Sequence, residues 1–288
     1  MISPNLKVGR LPFLVCAPFF HSSLEGHGGV DFIDGVPSFL NHELQSGRID
    51  CAPSSSFEYG LHFSQYRLLP HISTSSRLEI QSVLFLSQRP WSEMDGRTVR
   101  LSPDSATSNV LFQILSKKRF FIEPKIISES NSISASGNIS TQGEILAREN
   151  SAEGQVFIGD KALQASISGQ WAYRYDLAEV WREWQGLPFS FGLWIVHEQA
   201  VENKNEILKN LQKSIHLSIS EFRGNPEKAL RHWVKYYPTS LPWDIMLKFY
   251  ESADYSFSAD HEKSLQLFFA LAYEMKFLPL LPKLQYLT

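Results

Sequence analysis

The chain has 288 residues, of which 43% are hydrophobic and 20% are charged, and its formal net charge at pH 7 is −3. This composition is that of a globular protein, and the length is enough for about two domains of ~150 residues. The small negative charge excludes the strongly basic surface that binds nucleic acid or an anionic membrane. The sequence has no run of about 18 apolar residues, so we expect no transmembrane helix.

The cysteines, the histidines and the N-terminal segment give predictions about disulfides, metal sites and cellular location. Cys16 and Cys51 are too far apart for a metal knuckle or a disulfide framework, and we expect two buried reduced thiols. The nine histidines show no metal-binding spacing, so no metal site is predicted. Pro12 and Pro18 interrupt the first apolar run, and Val15 before Cys16 is too large for a signal-cleavage site. We therefore predict a cytoplasmic protein.

Short apolar strands alternate with amphipathic helices along the chain, a pattern typical of the α/β class. In chain order, we predict a strand over 7–14, a helix over 38–46, strands over 49–52, 83–87 and 98–101, a helix over 105–116, strands over 156–158 and 190–196, and mainly helix over 202–237 and 260–276. Residues 128–153 are rich in Ser, Asn, Gly and Glu, which predicts a long surface loop.

Four loops that follow predicted strands carry hydroxyls, small residues or a carboxylate, at 53–59, 81–83, 105–108 and 158–160. Loops at the carboxyl ends of strands bind ligands in open α/β sheets. A helix N-terminus with Ser or Thr side chains binds a carboxylate or phosphate without a lysine. Each loop also has a purely structural explanation, because its serines and threonine suit helix caps or turns and Asp160 suits a turn or an N-cap.

The known nucleophile and nucleotide motifs are absent from the sequence. No G-x-S-x-G elbow occurs, which gives no support to an α/β-hydrolase type of serine nucleophile. No G-x-G-x-x-G or G-x-x-x-x-G-K-[ST] loop occurs, so a dinucleotide or nucleoside triphosphate site is not predicted.

Taken together and in order, the loops resemble those of the chorismate dehydratase family, which catalyses the first dedicated step of the futalosine route to menaquinone. The matching segments, which run through almost the whole chain, include Val8-Gly9-Arg10, Phe13-Leu14 through Pro18, Gly35-x-Pro37 with Leu40, Gly47-x-Ile49-Asp50-x-Ala52-Pro53-x-Ser55-Ser56-x-Glu58-Tyr59, Ser82-Val83, Ser105-x-Thr107-Ser108, Ile158-Gly159-Asp160-x-Ala162-Leu163, Asp176-Leu177 with Trp181, and Gly186-Leu187-Pro188-Phe189 with Trp194.

The resemblance implies an α/β fold of two lobes, similar to type II periplasmic binding proteins, with a ligand cleft between the lobes. It places residues 1–86 and 190–288 in a discontinuous first lobe and residues 87–189 in an inserted second lobe. The implied reaction removes water from chorismate and gives 3-[(1-carboxyvinyl)oxy]benzoate, with no cofactor. The implied substrate-binding residues are Val15, Ser55, Ser56, Ser82, Ser105, Thr107, Ser108 and Asp160. Asp160 is expected to orient a loop or to contact the leaving hydroxyl.

Three residues depart from the family pattern. Val15 stands where the family usually has Asn, Leu78 where it has Gly, and Gln185 where it has Thr. Because a valine side chain forms no hydrogen bond, a non-catalytic binder of small carboxylates on the same fold is the alternative function. A sibling lyase with a histidine base is a third hypothesis, although no histidine lies in the matched loops. A homodimer is predicted from the frequency of twofold symmetry and from the surface aromatic residues.

Overall fold

A computed structural model describes residues 5–21, 29–127 and 152–288. The predicted surface loop over 128–153 therefore lies outside the described residues, apart from its last two positions. The strands, in chain order, are β1 (Leu6–Arg10), β2 (Val30–Asp34), β3 (Cys51–Ser55), β4 (Tyr66–Ser76), β5 (Val83–Ser87), β6 (Thr98–Arg100), β7 (Lys125–Ile127), β8 (Gly154–Ile158), β9 (Tyr173–Asp176), β10 (Phe189–His197) and β11 (Ala253–Ser256).

Helices lie between the strands and make up most of the C-terminal third of the chain. They are α1 (Pro37–Gln45), α2 (Ser56–His62), α3 (Ala106–Ile114), α4 (Gly159–Ile167), α5 (Leu177–Gln185), α6 (Glu198–Gly224), α7 (Pro226–Tyr236), α8 (Trp243–Ser252) and α9 (Ala259–Glu274). In the described residues no helix is both long and apolar enough to cross a membrane.

The strands form two sheets. The first sheet has six strands in the order β11-β4-β10-β3-β1-β2, and the second has five in the order β7-β6-β8-β5-β9. In the first sheet β1 runs parallel to β2 and β3, whereas β10 runs antiparallel to β3 and β4. The chain crosses from the first sheet to the second between β4 and β5 and returns between α5 and β10.

The residues of β5 all belong to the second sheet. Val83 pairs with Ile158 of β8, and Ser87 at the other end pairs with Gly154. The predicted boundary between residues 86 and 87 therefore falls inside a strand of the second sheet. The exact division into lobes stays a prediction, but the crossing itself precedes Val83.

The helix ends follow from local chemistry. α1 has Pro37 at its first position, where the missing N–H costs no hydrogen bond. Ser105 caps α3, and its side chain accepts a hydrogen bond from the Ser108 N–H. α5 ends at Gly186, whose φ of 70° is a left-handed conformation that glycine adopts without strain.

Most predicted elements are present, but five strands of the two sheets were not predicted: β2, β4 and β11 in the first sheet and β7 and β9 in the second. The predicted strand over 83–87 coincides with β5, and the helix predicted over 38–46 is α1, shifted by one residue. The strand predicted over 7–14 ends at Arg10, since Pro12 offers no N–H to a ladder and the chain then enters a 3-10 helix over Leu14–Phe19. β4, the longest strand, was not predicted.

Buried aromatic residues pack the core beside the second sheet and join α5 to β10 and α9. In the second lobe Trp91 is fully buried and stacks on Phe112, with ring centroids 5.2 Å apart. Trp181 of α5 packs edge-on against Phe189 and donates a hydrogen bond of 2.9 Å to the Ser264 hydroxyl of α9. This contact ties α5 to α9. Cys16 and Cys51 are buried and free, as predicted.

Candidate functional site

A cavity of about 110 Å³, partly open to solvent, lies between the two sheets. Its wall combines residues of β3, β4 and β10 from the first sheet with residues at the ends of β5 and β8 from the second. A mainly apolar cleft with a few polar groups in its wall is the usual form of a small-molecule site. The large apolar residues of the wall are Leu11, Phe13, Val15, Pro37, Pro53, Ile80, Val83, Ile158 and Phe191.

Three helices of nine residues begin at this cavity. Pro37 opens α1, Ser105 caps α3 and Gly159 opens α4, and all three residues line the wall. The first N–H groups of a helix have no intrahelical acceptor, and they carry a partial positive charge. Within the described part of the chain, no lysine or arginine side chain lines the wall. The helix ends and neutral donors are therefore the groups with which this wall can bind an anion.

Val15, Ser55, Ser82, Ser105 and Ser108, all predicted as site residues, line the cavity. The Ser55 hydroxyl accepts a hydrogen bond of 3.1 Å from the Glu58 N–H and so caps α2. The Ser105 hydroxyl accepts from the Ser108 N–H at 3.2 Å, and the two hydroxyl oxygens are 2.8 Å apart. Ser55 and Ser105 thus cap helices and also line the cavity. The sequence had left these two explanations as alternatives.

Ser56, Thr107 and Asp160 were also predicted as site residues, but they do not lie among the residues of the wall. Ser56 is fully buried, and its hydroxyl donates to the Ser190 carbonyl oxygen at 2.7 Å. The fully buried Thr107 hydroxyl accepts a hydrogen bond of 2.9 Å from the Phe57 N–H. That bond joins α3 of the second lobe to α2 of the first.

The half-buried Asp160 lies beside the loop that contains Val15, and its role, whether in orienting that loop or in contacting the leaving hydroxyl, stays a prediction. Its Oδ1 accepts a long hydrogen bond of 3.4 Å from the Leu14 N–H, and burial raises the pKa of this carboxyl. Two hydroxyls hold the same loop, since Tyr250 donates to the Leu14 carbonyl oxygen and Tyr255 donates to the Val15 carbonyl oxygen at 3.0 Å. These bonds fix the backbone that carries Val15 into the cavity wall.

Ser82 is held at the crossing between the lobes. Gly159 donates its N–H to the Ser82 carbonyl oxygen at 2.7 Å, and it has a φ of 59°. A side chain at residue 159 would strain this left-handed turn, so glycine suits the position where α4 starts beside Ser82. Burial raises the pKa of the Cys16 thiol, which also lines the wall, and this keeps the thiol protonated and unreactive.

The structure adds polar wall residues that were not among the predicted site residues. They are Asn41 in α1, Ser54 in β3, Thr74 in β4 and Asp104 before α3. The Ser54 hydroxyl donates to Asn41 Oδ1 at 2.6 Å, and the Asp104 carboxylate forms an ion pair of 3.0 Å with Lys161. Ser54 could have been chosen from its serine loop, whereas nothing in the sequence marks Asn41 within its helix.

The comparison with protein families decides the assignment. The model of a family described as menaquinone biosynthesis matches residues 6–274. The chain belongs to this menaquinone biosynthesis family. The match covers both lobes and the cavity between them, in agreement with the resemblance inferred from the loops.

Solved structures similar to this member of the menaquinone biosynthesis family confirm the fold. Protein AF1704 from Archaeoglobus fulgidus is 16% identical, with a TM-score of 0.72 over 96% of this chain and 100% of that one. The alkanesulfonate-binding protein SsuA from Xanthomonas axonopodis pv. citri, bound to MOPS, is 12% identical, with a TM-score of 0.68 over 96% of each chain. The aliphatic sulphonate binding protein SsuA from Escherichia coli is 10% identical, with a TM-score of 0.66 over 96% of this chain and 89% of that one. The fold is therefore the predicted two-lobed, periplasmic-binding-protein-like α/β fold.

Only one of the three departures from the family pattern lines the cavity. Val15 is part of the wall, whereas Leu78 is exposed in the crossing after β4 and Gln185 is the last residue of α5. The histidines of the described residues also lie outside the wall. The sibling lyase with a histidine base therefore gains no support from the placement of these side chains.

Proposed function

We propose that the protein is a chorismate dehydratase, which removes water from chorismate to give 3-[(1-carboxyvinyl)oxy]benzoate. The observation that carries the proposal is the cavity between the lobes, walled by apolar side chains, serine hydroxyls and helix N-termini, in a member of a menaquinone biosynthesis family. An apolar wall suits the ring of this substrate, and neutral donors at both lobes suit its two carboxylates.

The proposed reaction is an elimination across two neighbouring ring carbons. The bond from hydrogen to the carbon that bears the enolpyruvyl ether breaks, and its electron pair forms a ring double bond. The carbon–oxygen bond of the adjacent hydroxyl breaks at the same time or afterwards, and the leaving hydroxide takes up the proton removed from the ring carbon and departs as water. The product ring is aromatic, so the step is downhill. The protein's task is to hold the substrate in one orientation and to exclude the competing reactions of the ether.

In this proposal the base is one of the carboxylates of the substrate itself. The wall offers no histidine within the described residues, and its one carboxylate side chain, Asp104, is already paired with Lys161 at 3.0 Å. Ser82 and Ser108, from the crossing and from α3, are the hydroxyls that we expect to contact the substrate. Such donors orient the carboxylate and the leaving hydroxyl without taking the proton themselves.

The test is turnover of chorismate by the purified protein, with mass detection of the dehydrated product. We expect product above the spontaneous rate, and we expect Ser108→Ala to lower kcat/KM by about 10-fold, as for one hydrogen bond to a charged group. Ser38→Ala is the matched control, since Ser38 is exposed on α1 and does not line the cavity. Folded protein that forms no product would refute the proposal.

A non-catalytic carboxylate-binding protein is the second candidate, and Val15 in the cavity wall is the observation that favours it. It predicts that chorismate raises the melting temperature without being consumed. Val15→Asn separates the two functions. If the pocket is intact but lacks one amide, this variant gains turnover, whereas a pocket that has lost the other groups gains none.

A cytoplasmic location is part of the proposal, because a biosynthetic family fits that compartment. The proposed partner is the small dicarboxylate substrate. The homodimer stays a prediction that size-exclusion chromatography with light scattering can test.

A further inference from the structure

Asn41 and Ser54 bring a polar pair to the first-lobe side of the cavity. Asn41 lies in the second turn of α1 and Ser54 in β3, and both line the wall. Ser54 is only 6% exposed, whereas Asn41 is half-buried. The pair therefore faces the cavity from α1 and β3, and neither residue has a role in the proposed function so far.

The hydrogen bond between the two residues sets the orientation of the Asn41 amide. The Ser54 hydroxyl donates to Asn41 Oδ1 at 2.6 Å. This uses the carbonyl end of the amide and leaves the two N–H groups of Nδ2 as donors. Across residues 5–21, 29–127 and 152–288, no side-chain or backbone acceptor is bonded to Nδ2. A fixed amide with unpaired donors beside a cavity is arranged to bind an acceptor on a ligand.

The charge of the wall points to the kind of acceptor. Its only carboxylate side chain in the described residues, Asp104, is paired with Lys161 before α3, so no negative side chain lines the wall on the side of Asn41 and Ser54. An anionic oxygen can therefore approach Nδ2 without repulsion. Charge-assisted hydrogen bonds of this kind are about twice as strong as neutral ones.

We propose that Asn41 is a specificity-determining residue, whose Nδ2 donates to one carboxylate of the substrate while Ser54 positions the amide. This role rests on the proposed function, because it requires a ligand with a carboxylate on the first-lobe side. It distinguishes dicarboxylates from analogues in which one carboxylate is a neutral amide.

Three variants measure this role by calorimetry and turnover. Asn41→Asp keeps the shape but replaces the donor with a negative acceptor, and we expect chorismate affinity to fall about 10- to 100-fold. Ser54→Ala removes only the positioning bond, and we expect KM to rise about 2- to 10-fold with kcat little changed. Asn41→Ala combined with Ser54→Ala should weaken binding no more than Asn41→Ala alone, since Ser54 acts through Asn41.

A charge-selectivity readout separates this role from a loss of folding. The probes are isophthalate and its monoamide, 3-carbamoylbenzoate, which differ by one carboxylate. The wild-type protein should prefer isophthalate, and Asn41→Asp should prefer the monoamide, because an aspartate accepts from an amide and repels a carboxylate. Ser38→Asp adds the same charge to α1 at an exposed position outside the wall and should leave the preference unchanged.

The outcomes separate the two proposals. If Asn41→Asp keeps the wild-type preference for isophthalate, the role of Asn41 is refuted, whatever the turnover. If the wild-type protein binds chorismate without turnover and the preference still reverses, the role of Asn41 stands and the dehydratase function is refuted. A folded wild-type protein that binds neither chorismate nor isophthalate overturns both.

Discussion

The carboxylate of Asp176 joins the crossing between the lobes to α5. Asp176 is 1% exposed and ends β9. Its Oδ1 accepts hydrogen bonds from the Ala178 and Glu179 N–H groups at 3.0 and 3.3 Å. Its Oδ2 accepts from the Ile80 and Gln81 N–H groups at 3.0 and 2.6 Å. Substitution of Asp176 by Asn replaces one of these acceptor oxygens with a donor and removes the titratable group.

The buried position of Asp176 gives its effect on stability a defined pH dependence. Burial raises the pKa from 3.8 to about 6, and the hydrogen bonds from Gln81, Glu179 and Ala178 offset only part of that shift. The folded state therefore binds the proton more tightly than the unfolded state. The stabilisation is fully present below pH ~4 and is lost as the pH rises through about 6, and a shift of about two pH units corresponds to roughly 3 kcal/mol.

Urea unfolding of the wild-type protein and Asp176→Asn at pH 4 to 8 measures this contribution. Asp176→Asn should be less stable at every pH, because its Nδ2 faces backbone donors. The difference in unfolding free energy should shrink by roughly 2–3 kcal/mol from pH 4 to pH 7. Asp34→Asn is a control whose difference from wild type should stay nearly constant from pH 4 to 8, because the hydrogen bond from Arg10 lowers the pKa of Asp34 and its contribution is lost only below pH ~4. A constant difference between wild type and Asp176→Asn across this range would refute the reasoning.

Two further substitutions test buried contacts, one of Thr107 between α3 and α2 and one of Gly154 within the second sheet. Thr107→Val removes the acceptor of the buried Phe57 N–H and should destabilise the protein by about 1–3 kcal/mol in urea unfolding, while Thr107→Ser, which keeps the hydroxyl, should cost less. Gly154→Ala would place a methyl group 2.6 Å from Phe85 Cε2 and should destabilise by about 1–3 kcal/mol. Gly224→Ala, with no atom within 4 Å of the added group, should be neutral or slightly stabilising in the same urea-unfolding series.

The elements that the sequence predicts well are those whose apolar run is bounded by clear turn residues. β5 is an uninterrupted run of buried residues, and the predicted strand has the same first and last residues. β4 escaped prediction because it contains Pro70, His71 with a φ of 65°, and several buried serines. The serines are satisfied only in three dimensions: Ser73, for example, donates to the Ser256 carbonyl oxygen of β11 at 2.6 Å. A hydrophobic pattern cannot reveal a partner that lies about 180 residues further along the chain.

The candidate site was predictable to the level of loops but not of individual hydroxyls. Ser55 and Ser56 are neighbours with the same chemistry, yet Ser55 lines the cavity and Ser56 bonds to the Ser190 carbonyl oxygen. Which of two adjacent side chains faces the cavity depends on how α2 packs on β10. Asn41 could not be found at all, because its role depends on Ser54 from a different element.

The neutral donors of the cavity wall are consistent with a substrate carboxylate that acts as the base. A guanidinium or ammonium group against that carboxylate would stabilise its charged form and lower its pKa, which would make it a weaker base. The Asn41 amide, the Ser108 hydroxyl and the helix N-termini can orient a carboxylate with less stabilisation of the charge. Arginine introduced in place of Asn41 should therefore bind chorismate at least as tightly as the wild type but turn it over more slowly. Equal or faster turnover by Asn41→Arg would count against the substrate carboxylate as the base.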